Sequence, residues 1–186
     1  MFYLTCSLVA RPLMLLSVAL LLLTCNRDTP LPLPTQSGQN TLGCLINGKP
    51  YIPDGGRGFM PAKPVNGGFF VLRSSPYTLG LYVYTYAKDN QRIEIFLNDY
   101  KLGLHPLNSN TQIKPASLSP KDYGVYESTE GDAYVTNSEY TGQVIITKAD
   151  TISGIVAGSF SFKAISANGK TVTVSQGRFD VNARTQ

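Results

Sequence analysis

Three tyrosines stand at alternate positions in one short segment of the chain, at Tyr82, Tyr84 and Tyr86. Alternate side chains of a β-strand project from the same face, so a strand over residues 79–86 places the three rings side by side. Phe96, on the segment predicted to pair with this strand, joins that face. A tyrosine ring with its polar tip suits stacking on a sugar, a peptide or another flat partner. The alternative is cross-strand aromatic packing, which stabilises a hairpin without any ligand.

Few other side chains have types and spacing suited to catalysis. His105 is the only histidine and is followed by Pro106, so no base with a nearby orienting acid is recognisable. One histidine and one spare cysteine cannot build a familiar zinc site. The sequence therefore predicts a protein that is not an enzyme and that uses no metal and no cofactor.

Acidic residues cluster in the sequence at Asp122, Glu127, Glu130 and Asp132. Their spacing does not match the ligand pattern of a calcium loop, which favours solvated loop acids over a metal site. A hydrolase that uses only carboxylates stays an alternative. It requires Asp99, Asp122 or Glu127 to converge in a cleft, with paired acids about 5–10 Å apart.

The composition predicts strands and turns to carry these residues. Val, Ile, Thr, Tyr and Phe recur in short runs that are broken by Asn, Gly, Asp and Pro, which is typical of β structure. The net charge of +4 is spread along the 186 residues without a block of Lys and Arg. This distribution argues against a nucleic-acid partner.

A cysteine stands where the longest apolar run of the chain ends. Residues 13–23 are apolar or small and uncharged, a length that suits a signal peptide and is short of the about 20 residues of a transmembrane helix. The residues Leu22-Leu23-Thr24-Cys25 resemble the lipobox of bacterial lipoproteins. The resemblance implies that Cys25 is acylated, with chains such as palmitate, and becomes the mature N-terminus. The alternative is an ordinary secretory signal that is cleaved elsewhere.

The chain is thereby divided into three parts. Residues 1–24 are a lipoprotein signal peptide, residues 25–41 are the lipidated cysteine and a Pro-rich flexible tether, and residues 42–186 are a single all-β domain. This organisation predicts a domain anchored by lipid in the cell envelope, at the outer membrane, on either its periplasmic or its surface side. Cys44 has apolar neighbours and no cysteine left to pair with, so we expect a small core residue.

Nine or ten short strands without intervening helices are predicted from residue 42 onward. Asn47-Gly48 and Asn168-Gly169 are strong hairpin signals, and residues 77–88 and 92–99 form the clearest strand pair. Residues 54–68 are rich in Gly and Pro and are predicted to form a long loop. The short connections favour antiparallel neighbours. The predicted fold is an antiparallel β-sandwich, with a closed, lipocalin-like β-barrel as the alternative.

Two stretches of the domain resemble a family of Bacteroidota lipoproteins with a C-terminal β domain of no assigned function. They are "TLGCLINGKPYIP" near its start and "GSFSFKAISANGKTVTVSQGRFDV" at its end. The resemblance implies an envelope-anchored β domain and provides no catalytic residues. The favoured function is therefore non-enzymatic binding of a glycan or protein ligand. A structural subunit of an envelope or surface assembly is the second hypothesis, and the carboxylate-dependent hydrolase is the third.

Overall fold

Eleven β-strands and no helix make up the part of the computed structural model that describes the chain, residues 30–72 and 78–186. The predictions for residues 1–24 and for Cys25 lie outside these described residues. The strands are β1 (Thr41–Ile46), β2 (Lys49–Tyr51), β3 (Val65–Leu72), β4 (Thr78–Thr85), β5 (Arg92–Leu97), β6 (Gly103–Leu107), β7 (Tyr123–Glu127), β8 (Ala133–Val135), β9 (Gly142–Asp150), β10 (Ile155–Ser166) and β11 (Thr171–Asn182). Within the two described ranges, no helix has the length and apolar character needed to cross a membrane.

The strands join into one strongly curled antiparallel sheet, shaped as a half-barrel. Its order is β2-β1-β11-β10-β8-β7-β5-β4-β3, and a branch of β9 and β6 extends from β10. The long strand β10 serves both parts, because residues 155–162 pair with β9 and residues 165–166 pair with β8. The predicted antiparallel all-β fold, a sandwich or a barrel, is confirmed, with eleven described strands where nine or ten were expected.

Local turn chemistry accounts for the two predicted Asn-Gly hairpins. Asn47 adopts a positive φ of 49°, and its Oδ1 accepts a hydrogen bond of 2.9 Å from the backbone N–H of Thr173 on β11. The turn between β1 and β2 is thus tied to the neighbouring strand. The second hairpin joins β10 and β11 and begins the longest register of paired residues in the sheet.

The alternation within β4 and β5 separates a core face from an outer face. Leu81, Val83, Ile93 and Ile95 are fully buried in the inner cluster of the curled sheet. Thr85 is buried with them, and its hydroxyl oxygen accepts a hydrogen bond of 2.9 Å from the N–H of Ile93. The aliphatic side chains of the two strands therefore face the core.

The predicted loop over residues 54–68 is too long at its C-terminal end, because β3 begins at Val65. Glycines weaken a strand in general, but here a side chain would not fit. A Cβ on Gly68 would lie 2.6 Å from the Cβ of Ala183, which follows β11. The curl of the sheet brings β3 onto the end of β11 at this point, and this long-range approach explains why a Gly-rich segment continues as a strand.

The segment that precedes the first strand differs from its prediction as a flexible tether. Residues 35–39 lie against the domain and surround the carboxylate of Asp180, which is 1% exposed. This carboxylate accepts hydrogen bonds from the Thr35 hydroxyl at 2.6 Å and from the backbone N–H groups of Ser37, Gly38 and Gln39 at 3.0, 2.7 and 3.3 Å. The predicted boundary at residue 42 therefore falls within the folded part, because a distant acid on β11 satisfies this segment.

Cys44 belongs to the inner cluster and is fully buried. Burial raises the pKa of its thiol to about 12, so the reactive thiolate is scarce at neutral and mildly alkaline pH. The prediction of a core residue is confirmed.

We expect thiol reagents at pH 8 to leave Cys44 unmodified in the native protein. Because both access and ionisation are blocked, the number of reactive thiols should be the same in the wild type and in Cys44→Ala. In urea, the wild type should expose one reactive thiol more than the variant. Fast labelling of native wild type that Cys44→Ala removes would contradict the buried position.

Candidate functional site

A pocket of about 360 Å³ opens on the outer face of the sheet, opposite the core side of β4 and β5. This volume lies within the range of small-molecule sites, about 300–1,000 Å³. Strands β3, β4, β5 and β7 form its wall and floor, and the connection between β6 and β7 lies over it. The lining residues are Phe70, Tyr82, Tyr84, Tyr86, Arg92, Glu94, Phe96, Lys114 and Tyr123.

The three tyrosines form one continuous wall of the pocket. The ring centroids of Tyr82 and Tyr84 are 5.7 Å apart with nearly parallel planes, and Tyr86 meets Tyr84 edge-on at 5.5 Å. Tyr82 and Tyr84 are half-buried and Tyr86 is exposed, so their rings remain accessible from solvent. Burial, with the neighbouring Tyr86 and Tyr82, raises the pKa of Tyr84, and its hydroxyl therefore stays a hydrogen-bond donor at neutral pH.

Buried aromatic rings form the floor. Phe96 is 2% exposed and stacks on Tyr123 with centroids 5.1 Å apart, and the Phe70 ring packs against it with a centroid distance of 4.9 Å. The sequence placed Phe96 on the accessible aromatic face. Phe96 lies on that face but is covered by its neighbours, so a ligand in the pocket contacts the tyrosines and not Phe96.

Gly80 on β4 makes room for the floor. It pairs with Phe70 on β3, and a Cβ at this position would clash with the edge of the Phe70 ring and would lie 2.6 Å from the backbone oxygen of Leu97. The missing side chain lets Phe70 lie flat across β4. The floor thus depends on a cross-strand pair and not on a single strand.

A network of charged groups closes one end of the pocket. The Arg92 Nη2 atom is 2.9 Å from Glu127 Oε2 and 3.7 Å from Glu94 Oε2. The Tyr123 hydroxyl group donates a hydrogen bond of 2.5 Å to Glu94 Oε1. Burial and this hydrogen bond raise the pKa of Tyr123 far above its ordinary value, so its hydroxyl group keeps its proton and remains a hydrogen-bond donor. This end offers carboxylate acceptors whose orientation is fixed.

Lys114 covers the part of the pocket whose floor is formed by Phe70 and Phe96. It belongs to the connection of residues 108–122 between β6 and β7, and its Nζ atom lies 4.4 Å from the ring centroid of Phe70 and 4.7 Å from that of Phe96. The adjacent Ile113 packs on the outer cluster that contains Phe96 and Tyr123. Among residues 30–72 and 78–186, no carboxylate lies within 4.0 Å of this ammonium group.

Four of the nine lining residues were singled out by sequence, namely Tyr82, Tyr84, Tyr86 and Phe96, and the structure brings them together. Alternate residues of a strand share a face, so the position of Phe96 on β5 also predicts that Glu94 and Arg92 lie on this face. The sequence offers no comparable signal for the other three residues, Phe70, Lys114 and Tyr123. They reach the pocket through strand pairing and through the β6–β7 connection.

The acids considered for metal binding or hydrolysis have separate partners. Asp99 pairs with Lys101 at 3.2 Å, and Asp132 pairs with Lys170 at 3.2 Å. Asp122 accepts hydrogen bonds from Asn98, Glu130 accepts one from Thr129, and Glu127 is held by Arg92. Within the described ranges, no three His, Cys, Asp or Glu side chains are grouped so that they could hold a metal ion.

His105 is held away from the pocket by a structural contact. Its ring is largely buried, and the Nε2 atom is 2.7 Å from the backbone oxygen of Lys101. This bond fixes the turn that leads into β6. The described surroundings of His105 assign it a structural role.

Comparison with known proteins identifies one family. The family model of a domain of unknown function, DUF6252, matches residues 74–181. The matched range contains every lining residue of the pocket except Phe70. No curated protein and no solved structure matches the chain.

Proposed function

Because the chain belongs to the DUF6252 family of domains of unknown function, we propose a function from its geometry: it is a non-enzymatic binding domain whose pocket takes a carbohydrate. The observation that carries this proposal is the accessible wall of Tyr82, Tyr84 and Tyr86 beside a fixed set of polar groups. A sugar ring has apolar C–H faces and a rim of hydroxyl groups. It therefore needs an aromatic surface and oriented hydrogen-bond acceptors at the same time.

The two parts of the pocket match these two needs. The wall of near-parallel rings at Tyr82 and Tyr84 provides the flat apolar surface. Glu94 provides the acceptor. Its Oε1 atom already accepts a hydrogen bond from Tyr123, but its Oε2 atom lies 3.7 Å from Arg92, which is too far for a hydrogen bond, so Oε2 can accept one from a sugar hydroxyl group. The buried floor of Phe96 and Tyr123 keeps the wall in place, so little ordering is required on binding.

Binding without catalysis is favoured by the contacts of two carboxylates, Glu94 in the pocket lining and Glu127, which also pairs with Arg92. Glu94 and Glu127 share the guanidinium of Arg92, and Glu94 also accepts from Tyr123. A glycosidase needs one carboxyl group that donates a proton to the leaving oxygen. Carboxylates engaged by a guanidinium are suited to orienting hydroxyl groups.

The proposal includes attachment of the domain to the outer membrane through lipid on Cys25. Its support is the apolar run of residues 13–23 that ends at this cysteine. Two or three acyl chains hold a protein durably, since each buried CH₂ contributes about 0.8 kcal/mol. The domain would then present its pocket to envelope glycans.

The test is binding of the full-length protein, in detergent, to a glycan and peptide array, followed by titration of the bound glycan. We expect Tyr84→Ala to lower the affinity about 10- to 30-fold, because it removes the centre of the aromatic wall. The half-buried position of Tyr84 predicts only a small loss of stability, which circular dichroism checks.

Tyr140→Ala is the matched control, since Tyr140 is also half-buried but lies in a turn outside the pocket. Its affinity should equal that of the wild type. Binding to no glycan, or equal affinity of the wild type and Tyr84→Ala, would overturn the proposal. Binding to peptides alone would replace the carbohydrate by a protein ligand.

A further inference from the structure

The charges that line the pocket are distributed unequally between its two ends. At one end, the single positive charge of Arg92 faces two carboxylates, those of Glu94 and Glu127. At the other end, Lys114 has no carboxylate within 4.0 Å among residues 30–72 and 78–186. The pocket is therefore acidic on the Arg92 side and basic on the Lys114 side, and the tyrosine wall runs alongside both, because Tyr82 pairs with Phe96 and Tyr84 pairs with Glu94.

The ammonium group of Lys114 is held at a defined place. It stands over the faces of Phe70 and Phe96 at 4.4 and 4.7 Å, an arrangement that attracts a cation without neutralising it. The connection that carries Lys114 is itself braced, because Ile113 packs on the outer cluster and the backbone oxygen of Ile113 accepts from Ser117 N–H at 3.1 Å. A fixed cation loses less conformational entropy when an anion pairs with it.

On the basis of the proposed function, we infer that the carbohydrate is acidic and that the pocket binds a uronic-acid residue. The sugar ring stacks on Tyr82 and Tyr84, its carboxylate accepts hydrogen bonds from Lys114 Nζ, and its hydroxyl groups donate to Glu94. The carboxylates of Glu94 and Glu127 repel the acid group of the ligand. The two ends of the pocket therefore fix one orientation of the sugar.

Neutral sugars use only the tyrosine wall and the Glu94 acceptor. The additional pair with Lys114 is charge-assisted, but Lys114 is exposed, so its contribution is screened by salt. We expect an acidic sugar to bind about 5- to 10-fold more tightly than the same sugar without its charge at low ionic strength. The preference should decrease in 0.5 M NaCl.

Methyl esters provide the decisive comparison, because they keep the sugar rings and replace the charged carboxylate by a neutral ester. Oligosaccharides of galacturonic acid and of mannuronic acid are titrated into the full-length protein, each beside its own methyl ester. We expect the acid form to bind more tightly to the wild type, and Lys114→Gln to reduce its affinity to that of the ester. Lys121→Gln is the control, since Lys121 is an exposed lysine of the same connection outside the pocket.

The outcomes separate this inference from the proposed function. Equal binding of acid and ester, with both lost in Tyr84→Ala, would overturn the acidic ligand and leave the carbohydrate site standing. A preference for the acid that persists in Lys114→Gln would overturn the role of Lys114. Failure of both acids and both esters to bind would also overturn the inference, and binding of other glycans on the array would then still support the proposed function.

Discussion

Replacement of Asp180 by alanine is expected to lower the free energy of unfolding by about 3–5 kcal/mol. Its carboxylate is buried and accepts hydrogen bonds from the Thr35 hydroxyl and from the backbone N–H groups of Ser37, Gly38 and Gln39. Alanine leaves these three backbone donors without their partner. Loss of several hydrogen bonds to one charged acceptor costs more than loss of a single neutral bond.

Thermal unfolding and limited proteolysis measure this effect. A domain of this size should lose about 10 °C in Tm for such a change. The residues around position 36 should become cleavable in Asp180→Ala, because their backbone is no longer held on β11. Thr35→Ala is the graded control, since it removes one donor and should cost only about 1 kcal/mol. An unchanged Tm in Asp180→Ala would show that residues 35–39 do not depend on this carboxylate.

Replacement of Cys25 by alanine is expected to abolish incorporation of a labelled fatty acid and to release the protein from membranes. The reason is chemical, because alanine has no thiol to acylate, and the hydrophobic anchor is lost with the acyl chains. The measurement is metabolic labelling followed by separation of membrane and soluble fractions.

Cys44→Ala is the matched control for the anchor. Cys44 is fully buried in the core, with a pKa raised by burial, and we expect full labelling and full membrane association in this variant. Labelling that persists in Cys25→Ala would contradict the lipid anchor. Labelling lost in Cys44→Ala as well would show that the loss is not specific to Cys25 and would contradict the assignment of the label to this residue.

Patterns within short segments predicted much of the secondary structure. Alternation in residues 79–86 and the Asn47-Gly48 turn involve neighbours only a few residues apart, and both predictions are confirmed. β11 is a different case. It continues as one strand through Gln176, whose φ is positive at 51°, because β1 and β10 pair on either side.

The aromatic wall follows from a local sequence pattern, whereas the remainder of the pocket depends on long-range strand pairing. Tyr82, Tyr84 and Tyr86 share a face because of the two-residue period of a strand, which the sequence alone contains. Tyr123 meets Phe96 only because β7 pairs with β5, and these strands are separated by β6 and a long connection. No local pattern encodes that register.

The sequence by itself determined the β class, the turn positions, the core face of β4 and the row of three tyrosines, since each depends on the period or turn chemistry of adjacent residues. The tertiary structure decided that this row lines a pocket with an acidic and a basic end, and that residues 35–39 belong to the domain. Lys114 and Asp180 contact partners that are distant in the sequence, Phe70 for Lys114 and Thr35 for Asp180. The physical reason is that long-range packing, and not local periodicity, selects which partners their charges meet.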